Sequence, residues 1–323
     1  MLKYIIKRLL LMIPVILGIT VLIFTIMHFA PGDTARIIAG NNASPEQLEA
    51  VRESLGLNDP FLVQLGRYMK DLFLHFDLGT SAITGIPVAK EIMNRFPYTL
   101  TIALLCTILS LVIGLPLGII AATNQYSWKD NLSMFLALIG SSMPSFWLAL
   151  ILSLIFALNL RLLPATGVGT WKHYVLPVLT TSVSGIALMA RQTRSNMLEV
   201  IRSDYVVTAR AKGQNERVIV YRHALQNALI PVITVCGTWF GMLLAGSMIT
   251  EIVFSIPGLG VYIYNGIVSR DYMVVESTVI FVAIVFGFVL LGVDILYAFI
   301  DPRIKAQFVT TKKKAEAKEE KDE

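Results

Sequence analysis

The stretch that decides the fold is "DYVVTARAKGQNERVIVYRHALQNALIP", residues 204–231. It interrupts a chain whose other long segments are mostly leucine, isoleucine and valine. Residues 205–212 can form two helical turns, and Gly213 can end them because glycine adopts a left-handed conformation at little cost. Asn215 is a favourable N-cap for a second short helix. The pattern therefore predicts two short helices joined at a glycine.

Short helices such as these are marginal in water by themselves, so something should pack against them. The second helix would present an apolar face made of Val218, Tyr221 and Leu225. The first alternative is a basic amphipathic segment that lies on anionic lipid headgroups. The second is a helix that inserts into a groove of another protein. Ala209, Ala211 and Gly213 favour the protein groove, because small residues allow close backbone approach and a lipid-facing helix prefers bulky side chains.

The composition of the chain is that of a membrane protein. Of its 323 residues 55% are hydrophobic and only 15% are charged, whereas a soluble domain usually carries about 25% charged residues. Mean hydropathy is +0.68. Cys106 and Cys236 both fall inside apolar runs, which indicates small packed side chains and no disulfide framework.

Motifs for metal or nucleotide binding are missing from the sequence. The four histidines are scattered without ligand spacing, and neither HExxH nor CxxC occurs. No GxxxxGK[ST] phosphate loop is present either. We therefore expect no metal site and no cofactor in this chain; if ATP drives the protein, a different subunit binds the nucleotide and its Mg²⁺.

Six apolar runs are long enough to cross the hydrocarbon core, which takes about 20 residues. They cover residues 9–29, 99–123, 132–160, 173–190, 228–250 and 275–300. Pro144 in the third run predicts a kink or tilt there. The first run follows Lys3, Lys7 and Arg8, but it exceeds the usual length of a signal peptide and lacks a small-x-small cleavage site, which favours an uncleaved anchor.

The distribution of basic residues predicts the orientation. With the N-terminus in the cytoplasm, the cytoplasmic segments hold 18 of the 27 Lys and Arg residues and the external segments hold 9. Six of those nine lie in the long first loop, which carries little weight because long loops translocate largely regardless of charge. Both termini are therefore expected in the cytoplasm.

The external segment, residues 30–98, contains start and stop signals for helices of its own. Ser44 is an N-cap, Gln47 completes a capping box and Gly56 ends the helix, whose apolar face is Leu48, Val51 and Leu55. A second amphipathic helix should start at Pro60, with a stripe formed by Phe61, Leu65, Tyr68 and Leu72. These helices either cover the spans or lie on the membrane surface, or they dock an extracytoplasmic partner. The mixed-charge tail, residues 306–323, predicts a solvated, partly disordered end.

The quoted stretch closely resembles the cytoplasmic signature loop of permease subunits of bacterial ABC importers, in the dipeptide and oligopeptide version. The general motif is Glu-Ala-Ala, three residues, Gly, nine residues, then Ile-x-Leu-Pro. Gly213, Ala209 and Leu225 match it, while other positions depart from it: Val207, Thr208, His223 and Gln226. Short motifs occur along the chain in the order that this family uses: "PGD" at 31–33, "DLGTS" at 77–81, "RFPYTL" at 95–100, "MPSFW" at 143–147, "LPATG" at 163–167, "PGLG" at 257–260, "RDY" at 270–272 and "DPR" at 301–303.

The resemblance implies an all-α integral membrane protein with six transmembrane helices and the ABC importer permease fold. Residues 1–29 would form the cytoplasmic start and first span, residues 30–98 the external helical segment, and residues 99–305 a five-span core with an ATPase-coupling loop at 191–227. The expected partners are a homologous second permease, two ABC ATPase subunits, an extracytoplasmic peptide-binding protein and membrane lipid, with no nucleic acid. The chain would lie in the bacterial cytoplasmic membrane and would not itself be an enzyme.

The expected coupling contacts come from the signature loop. They are Tyr205, Ala209, Arg210, Ala211, Gly213, Arg217, Val218, Tyr221, Arg222, His223, Leu225 and Asn227. Any single basic residue among them can also reflect only the excess of positive charge inside, since exposed ion pairs contribute about 0–1 kcal/mol.

Small and polar residues in three spans are candidates for the substrate path at the interface with a second permease. They are Thr180, Thr181, Ser184, Thr234, Thr238, Trp239 and Ser247. The alternative for each position is close helix packing, which uses the same residue types. Asp294 lies well inside the last span, where a carboxylate costs about 2.5–3.5 kcal/mol on insertion scales. Water or an arginine such as Arg8 or Arg191 could reach it, so we predict a structural ion pair or polar contact; a proton relay is the alternative.

Within this family the carried solute stays open: dipeptides, longer peptides, glutathione and nickel complexes are all served by similar permeases. A secondary transporter driven by an ion gradient is a rival class, but such proteins often show internal repeats and several intramembrane charges. The sequence has no evident repeat and only one acid deep in a span. A membrane scaffold with no transport role is a third alternative.

Overall fold

A computed structural model describes residues 2–30, 34–40 and 42–300. The motifs "PGD" and "DPR" and the predicted tail at 306–323 lie outside these described residues. Fourteen α-helices follow one another in the described part: α1 (Leu2–Phe29), α2 (Thr34–Ala39), α3 (Pro45–Ser54), α4 (Phe61–Leu74), α5 (Val88–Thr123), α6 (Trp128–Ser142), α7 (Ser145–Leu152), α8 (Lys172–Ile201), α9 (Asp204–Ala211), α10 (Glu216–Val218), α11 (Leu225–Leu244), α12 (Met248–Val253), α13 (Leu259–Ser269) and α14 (Tyr272–Ile300). Two π-helical segments, Ser153–Asn159 and Ile219–Ala224, extend α7 and join α10 to α11.

The spans agree with the predicted all-α membrane architecture. Five helices are long and apolar enough to cross a membrane, and the bent pair formed by α6 and α7 with its π-helical extension makes six if it is one span. The two halves of that pair meet at 95°. Pro144 lies at the break, as predicted, because proline lacks the N–H that would continue the helical hydrogen bonds.

Three predicted spans have the wrong limits. The second run, 99–123, is part of α5, which already begins at Val88, so residues 88–98 belong to this helix and not to a separate external segment. The fourth run, 173–190, continues as α8 to Ile201, so Arg191 and Arg194 lie on a helix and not in a loop. The fifth run, 228–250, stops at Leu244, because Gly246 takes a φ of +119° and breaks the helix before α12. The helix also begins earlier than predicted, because α10 and the second π-helical segment lead into α11 without a break.

Helices α5 and α8 form the most extensive helix contact of the core. Glycines on α5 allow this approach. A Cβ atom at Gly114 would lie 2.7 Å from Met189 Cβ, and one at Gly118 would lie 2.5 Å from Thr193 Cβ. Close helix packing through small residues is typical of membrane proteins.

The external segment has the helices that the sequence predicts. Ser44 Oγ accepts from Gln47 N, and the Gln47 side chain accepts from Ser44 N, so the capping box is complete. The stripe on α4 packs inward: Tyr68 and Leu72 are buried against Phe24 of α1 and Ile280 of α14. This helix therefore covers two spans. Helix α3, in contrast, has no buried residue.

Candidate functional site

The signature loop folds as two helical pieces joined at a glycine. Helix α9 ends at Ala211, and Gly213 follows with a φ of +77°, the left-handed conformation that the sequence predicts. Asn215 Oδ1 then accepts from Arg217 N at 2.9 Å, which caps the second piece. This second piece is not a separate short helix, however. It continues through the π-helical segment into α11, so the loop is directly connected to a span.

One side of this segment is anchored inside the chain. Val206 and Ala209 of α9 are buried, and so are Ile219 and Ala224 of the π-helical segment. Ala224 belongs to a core cluster with Ala122, Met197, and Ala228. The small side chain of Ala209 therefore packs within this chain. Because Ala209 is buried, it offers little surface for the predicted close approach of a partner.

The other side is open and apolar. Tyr221 is 59% exposed, and Tyr205, Val207 and Val218 are also exposed. Val218 and Tyr221 border a shallow depression that is also lined by Arg217, Arg222 and Gln226. Leu225 is half-buried, because the π-helical turn shifts the helix phase away from the regular spacing that the sequence suggests. The predicted face is therefore exposed at two of its three positions.

Polar contacts link the two helical pieces of the segment. Arg210 Nε donates to Glu216 Oε1 at 2.6 Å across the glycine turn, and this hydrogen bond raises the pKa of the Arg210 guanidinium. Asn227 Nδ2 donates to Tyr205 Oη at 2.9 Å, and His223 Nε2 lies 2.7 Å from Gln214 Oε1. Three further residues of the segment lie exposed on its outer surface: Ala211, Arg217 and Arg222. Within the described residues, neither of these two arginines has an ion-pair partner.

An ion pair between α8 and α6, in which the carboxylate is buried, was missed by the sequence analysis. Arg194 of α8 donates from Nε and Nη2 to the two carboxylate oxygens of Asp130, at 2.6 and 2.8 Å. Asp130 is only 2% exposed and also accepts from Tyr126 N. The pair joins the start of α6 to the end of α8. The one sequence signal is Ser127, an N-cap three residues before Asp130.

The candidate path residues divide into two groups. Thr180 and Thr181 are buried, and Thr181 Oγ1 lies 2.9 Å from Thr250 Oγ1, so both serve packing inside the chain. Ser184, Trp239 and Ser247 are half-buried. Thr234 and Thr238 are exposed and belong to a longer stripe along α11, which we name the α11 stripe: Asn227, Pro231, Thr234, Thr238, Met242 and Ala245. Its spacing of three and four residues puts it on one helix face.

A second buried carboxylate, Glu251 on α12, was also missed by the sequence analysis. Thr99 Oγ1 of α5 donates to its Oε1 at 2.8 Å, and Val261 N of α13 donates to its Oε2 at 2.9 Å. Thr99 Oγ1 in turn accepts from Leu259 N. Burial raises the pKa of Glu251, although these hydrogen bonds act in the opposite direction. The carboxylate fixes the α12–α13 hairpin against α5.

The acid inside the last span has its predicted partner. Arg8 Nη2 donates to Asp294 Oδ1 at 2.8 Å, and Arg8 Nε lies 2.6 Å from Asp294 Oδ2. Arg191, the other arginine considered, instead donates to Ser141 Oγ. The prediction of an ion pair is confirmed, with Arg8 as the cation. In the described residues there is also no cluster of three metal-ligating side chains.

Comparison with solved structures supports the fold. The inward-facing methionine ABC transporter MetNI matches in two crystal forms with TM-scores of 0.55 and 0.57 at 18% sequence identity. The match covers 65% of this chain and 96% of the MetNI chain. Five to six apolar spans and this likeness give the chain an ABC importer permease fold.

Comparison with sequences identifies the family. The model of the binding-protein-dependent transport system inner membrane component matches residues 114–306, and that of its N-terminal part matches residues 1–103. A dipeptide transport system permease of Alkalihalophilus pseudofirmus is 45% identical over 94% of this chain and 100% of that protein. A glutathione transport system permease of Salmonella paratyphi A is 43% identical over 94% of this chain and 99% of that protein. The chain is therefore a multi-pass membrane protein that belongs to the inner membrane component family of binding-protein-dependent transport systems.

Proposed function

We propose that this chain forms half of the translocation path of an ATP-driven importer for di- or oligopeptides. The observation that carries this proposal is the full-length similarity to the dipeptide permease of Alkalihalophilus pseudofirmus. The other half would be a homologous permease. An extracytoplasmic binding protein would deliver the peptide, and two ATPase subunits would use ATP and Mg²⁺.

The segment 204–227 would dock into a groove of an ATPase subunit. Its inner side is buried in this chain, while its outer side offers Val207, Val218 and Tyr221 for contact. Arg217 and Arg222 flank this apolar surface and would pair with acidic groove residues. Since the second helical piece continues into α11, a movement of the ATPase would reach a span without passing through a flexible joint. With the α6–α7 pair as one span, cytoplasmic docking of this segment would go with cytoplasmic termini.

The α11 stripe would line the path where the two permeases meet. Thr234 and Thr238 offer hydroxyl groups, and Met242 offers a flexible apolar side chain, which suits a surface that passes many different side chains. Such a surface has little selectivity of its own. Selection of the solute would then rest with the binding protein.

Glutathione is the second candidate solute, because a relative of nearly equal identity carries that name. The test is uptake by proteoliposomes that contain this chain, its second permease, the ATPases and the binding protein, with radiolabelled dialanine, tetra-alanine and glutathione supplied separately. ATP-dependent uptake of dialanine or tetra-alanine supports the peptide proposal. Uptake of glutathione alone would replace it, and uptake without ATPases would indicate a secondary transporter.

A further inference from the structure

A cavity of about 770 Å³ lies under the external segment, between α4, the turn at 77–82 and the external ends of α1 and α14. Its size falls in the range of small-molecule sites, about 300–1,000 Å³. None of the coupling or path residues lines it. The cavity is therefore separate from the transport elements described above.

A buried carboxylate without a partner forms one wall of this cavity. Glu276 lies one turn into α14 and is 5% exposed. Among the described residues, no hydrogen bond or ion pair reaches its carboxylate. Leaving a charge buried and unpaired is costly, so the carboxyl group keeps its proton while the cavity holds no cation. A cation that enters the cavity would pair with the ionised carboxylate and so favour release of that proton.

Aromatic rings surround the same space. Phe24 stacks on Tyr68 at 5.4 Å between ring centroids and on His28 at 6.0 Å, and all three line the cavity. The hydroxyl groups of Tyr68 and Tyr272 are buried without a hydrogen-bond partner. Tyr68 is 9% exposed, and burial together with the nearby Glu276 raises its pKa. Aromatic rings attract cations, among them ammonium groups.

The charged residues at the rim do not favour an anion. Arg67 is paired with Asp59 and Arg52 with Glu49, so both guanidinium groups already have carboxylate partners. Asp71 and Asp77 add negative charge to the lining. A metal ion is also disfavoured, since the described residues contain no cluster of three metal-ligating side chains.

We propose that this cavity is a binding site for an organic ammonium group, with Glu276 as the counter-ion, Tyr68 and Tyr272 as hydrogen-bonding hydroxyls and Phe24 as part of the aromatic wall beside them. The ammonium group belongs either to a free amine or to the headgroup of phosphatidylethanolamine. The site is independent of the proposed peptide transport.

The test uses the full chain in nanodiscs of phosphatidylglycerol, whose headgroup has no amine. Calorimetric titration with 2-phenylethylamine should show binding, and titration with the neutral 2-phenylethanol should not. Glu276→Gln should weaken amine binding about tenfold or more, because the amide cannot supply the negative charge that pairs with the ammonium group. Glu199→Gln, which changes an exposed carboxylate on α8, is the matched control and should bind as the wild type does.

A second arm identifies a lipid source. In nanodiscs with equal amounts of phosphatidylethanolamine and phosphatidylglycerol, native mass spectrometry of the wild-type chain should then show retained phosphatidylethanolamine, and Glu276→Gln should lose it. If Glu276→Gln does not insert, Tyr68→Phe replaces it and should weaken binding about fivefold through the lost hydroxyl. Absence of both amine binding and phosphatidylethanolamine retention, or equal binding by wild type and variant, would overturn the proposal.

Discussion

Arg8 and Asp294 form an ion pair that joins α1 to α14, and so connects the two ends of the described chain. Asp294 is largely shielded, while Arg8 is about half-exposed. Replacing Asp294 with Ala should lower stability by about 1–2 kcal/mol, since Arg8 loses this carboxylate but remains partly solvated. The melting temperature of the detergent-solubilised chain measures this. The double variant Arg8→Asp/Asp294→Arg should recover most of the loss; no recovery would show that the charge pair is not what stabilises this contact.

Gly213 forms the turn between the two helical pieces of the coupling segment, and its backbone conformation favours glycine. A Cβ atom would meet nothing within 4 Å, so the only obstacle is the φ of +77°, which costs a residue with a side chain about 1–2 kcal/mol. Gly213→Leu should leave insertion unchanged but abolish peptide uptake and the stimulation of ATP hydrolysis.

Gly213→Asn is the matched control, because asparagine tolerates the left-handed conformation. It should retain most of the uptake measured in proteoliposomes. Normal transport by Gly213→Leu would show that this turn does not couple the spans to ATP hydrolysis.

Local signals predicted much of this structure. The capping box at Ser44, the turn at Gly213 and the cap at Asn215 each depend on a few neighbouring residues, and each is present. The Arg8–Asp294 pair was predictable because a carboxylate in a span needs a cation.

Features that depend on packing were not predictable in the same way. Arg191 and Arg194 lie on the last part of α8, although charged residues after an apolar run indicate a loop. The sequence does not show that the buried Asp130 pairs with Arg194. The π-helical segment changes which residues face outward, and no residue pattern marks it. Glu251 lies directly after a predicted span, and its partners are distant in sequence or backbone groups.

The Asp130–Arg194 pair should hold the base of the coupling segment in place. Asp130→Ala leaves the Arg194 guanidinium without its bidentate partner. Because the Arg194 side chain is 26% exposed, the loss should be smaller than the about 3–5 kcal/mol of a fully buried pair. A lower melting temperature and weaker ATP-driven uptake are expected. Replacing both residues together, as Asp130→Leu and Arg194→Met, should restore the melting temperature more than the uptake. Equal values for the wild type and Asp130→Ala would contradict this role.

Glu251 gives the α12–α13 hairpin a pH dependence. Burial raises the pKa of Glu251 above the ordinary value of 4.5. Between 4.5 and the raised pKa, the folded state therefore holds a proton that the unfolded state has released. The stabilising effect of that proton is full below pH 4.5 and is lost as the pH rises through the raised pKa. Melting temperatures measured from acid to neutral pH should therefore fall more steeply in the wild type than in Glu251→Gln, which does not titrate. Parallel curves would rule out this carboxyl group as the source.

The most direct test of the central claim is photo-crosslinking from the outer face of the coupling segment. A benzoylphenylalanine at Tyr221, which is 59% exposed, is compared with the same group at Leu62 on the external helix α4. In assembled transporters, Tyr221 should crosslink to an ATPase subunit and Leu62 should not. Crosslinks from Tyr221 to lipid alone, or from Leu62 to the ATPase, would contradict the proposed docking of this segment.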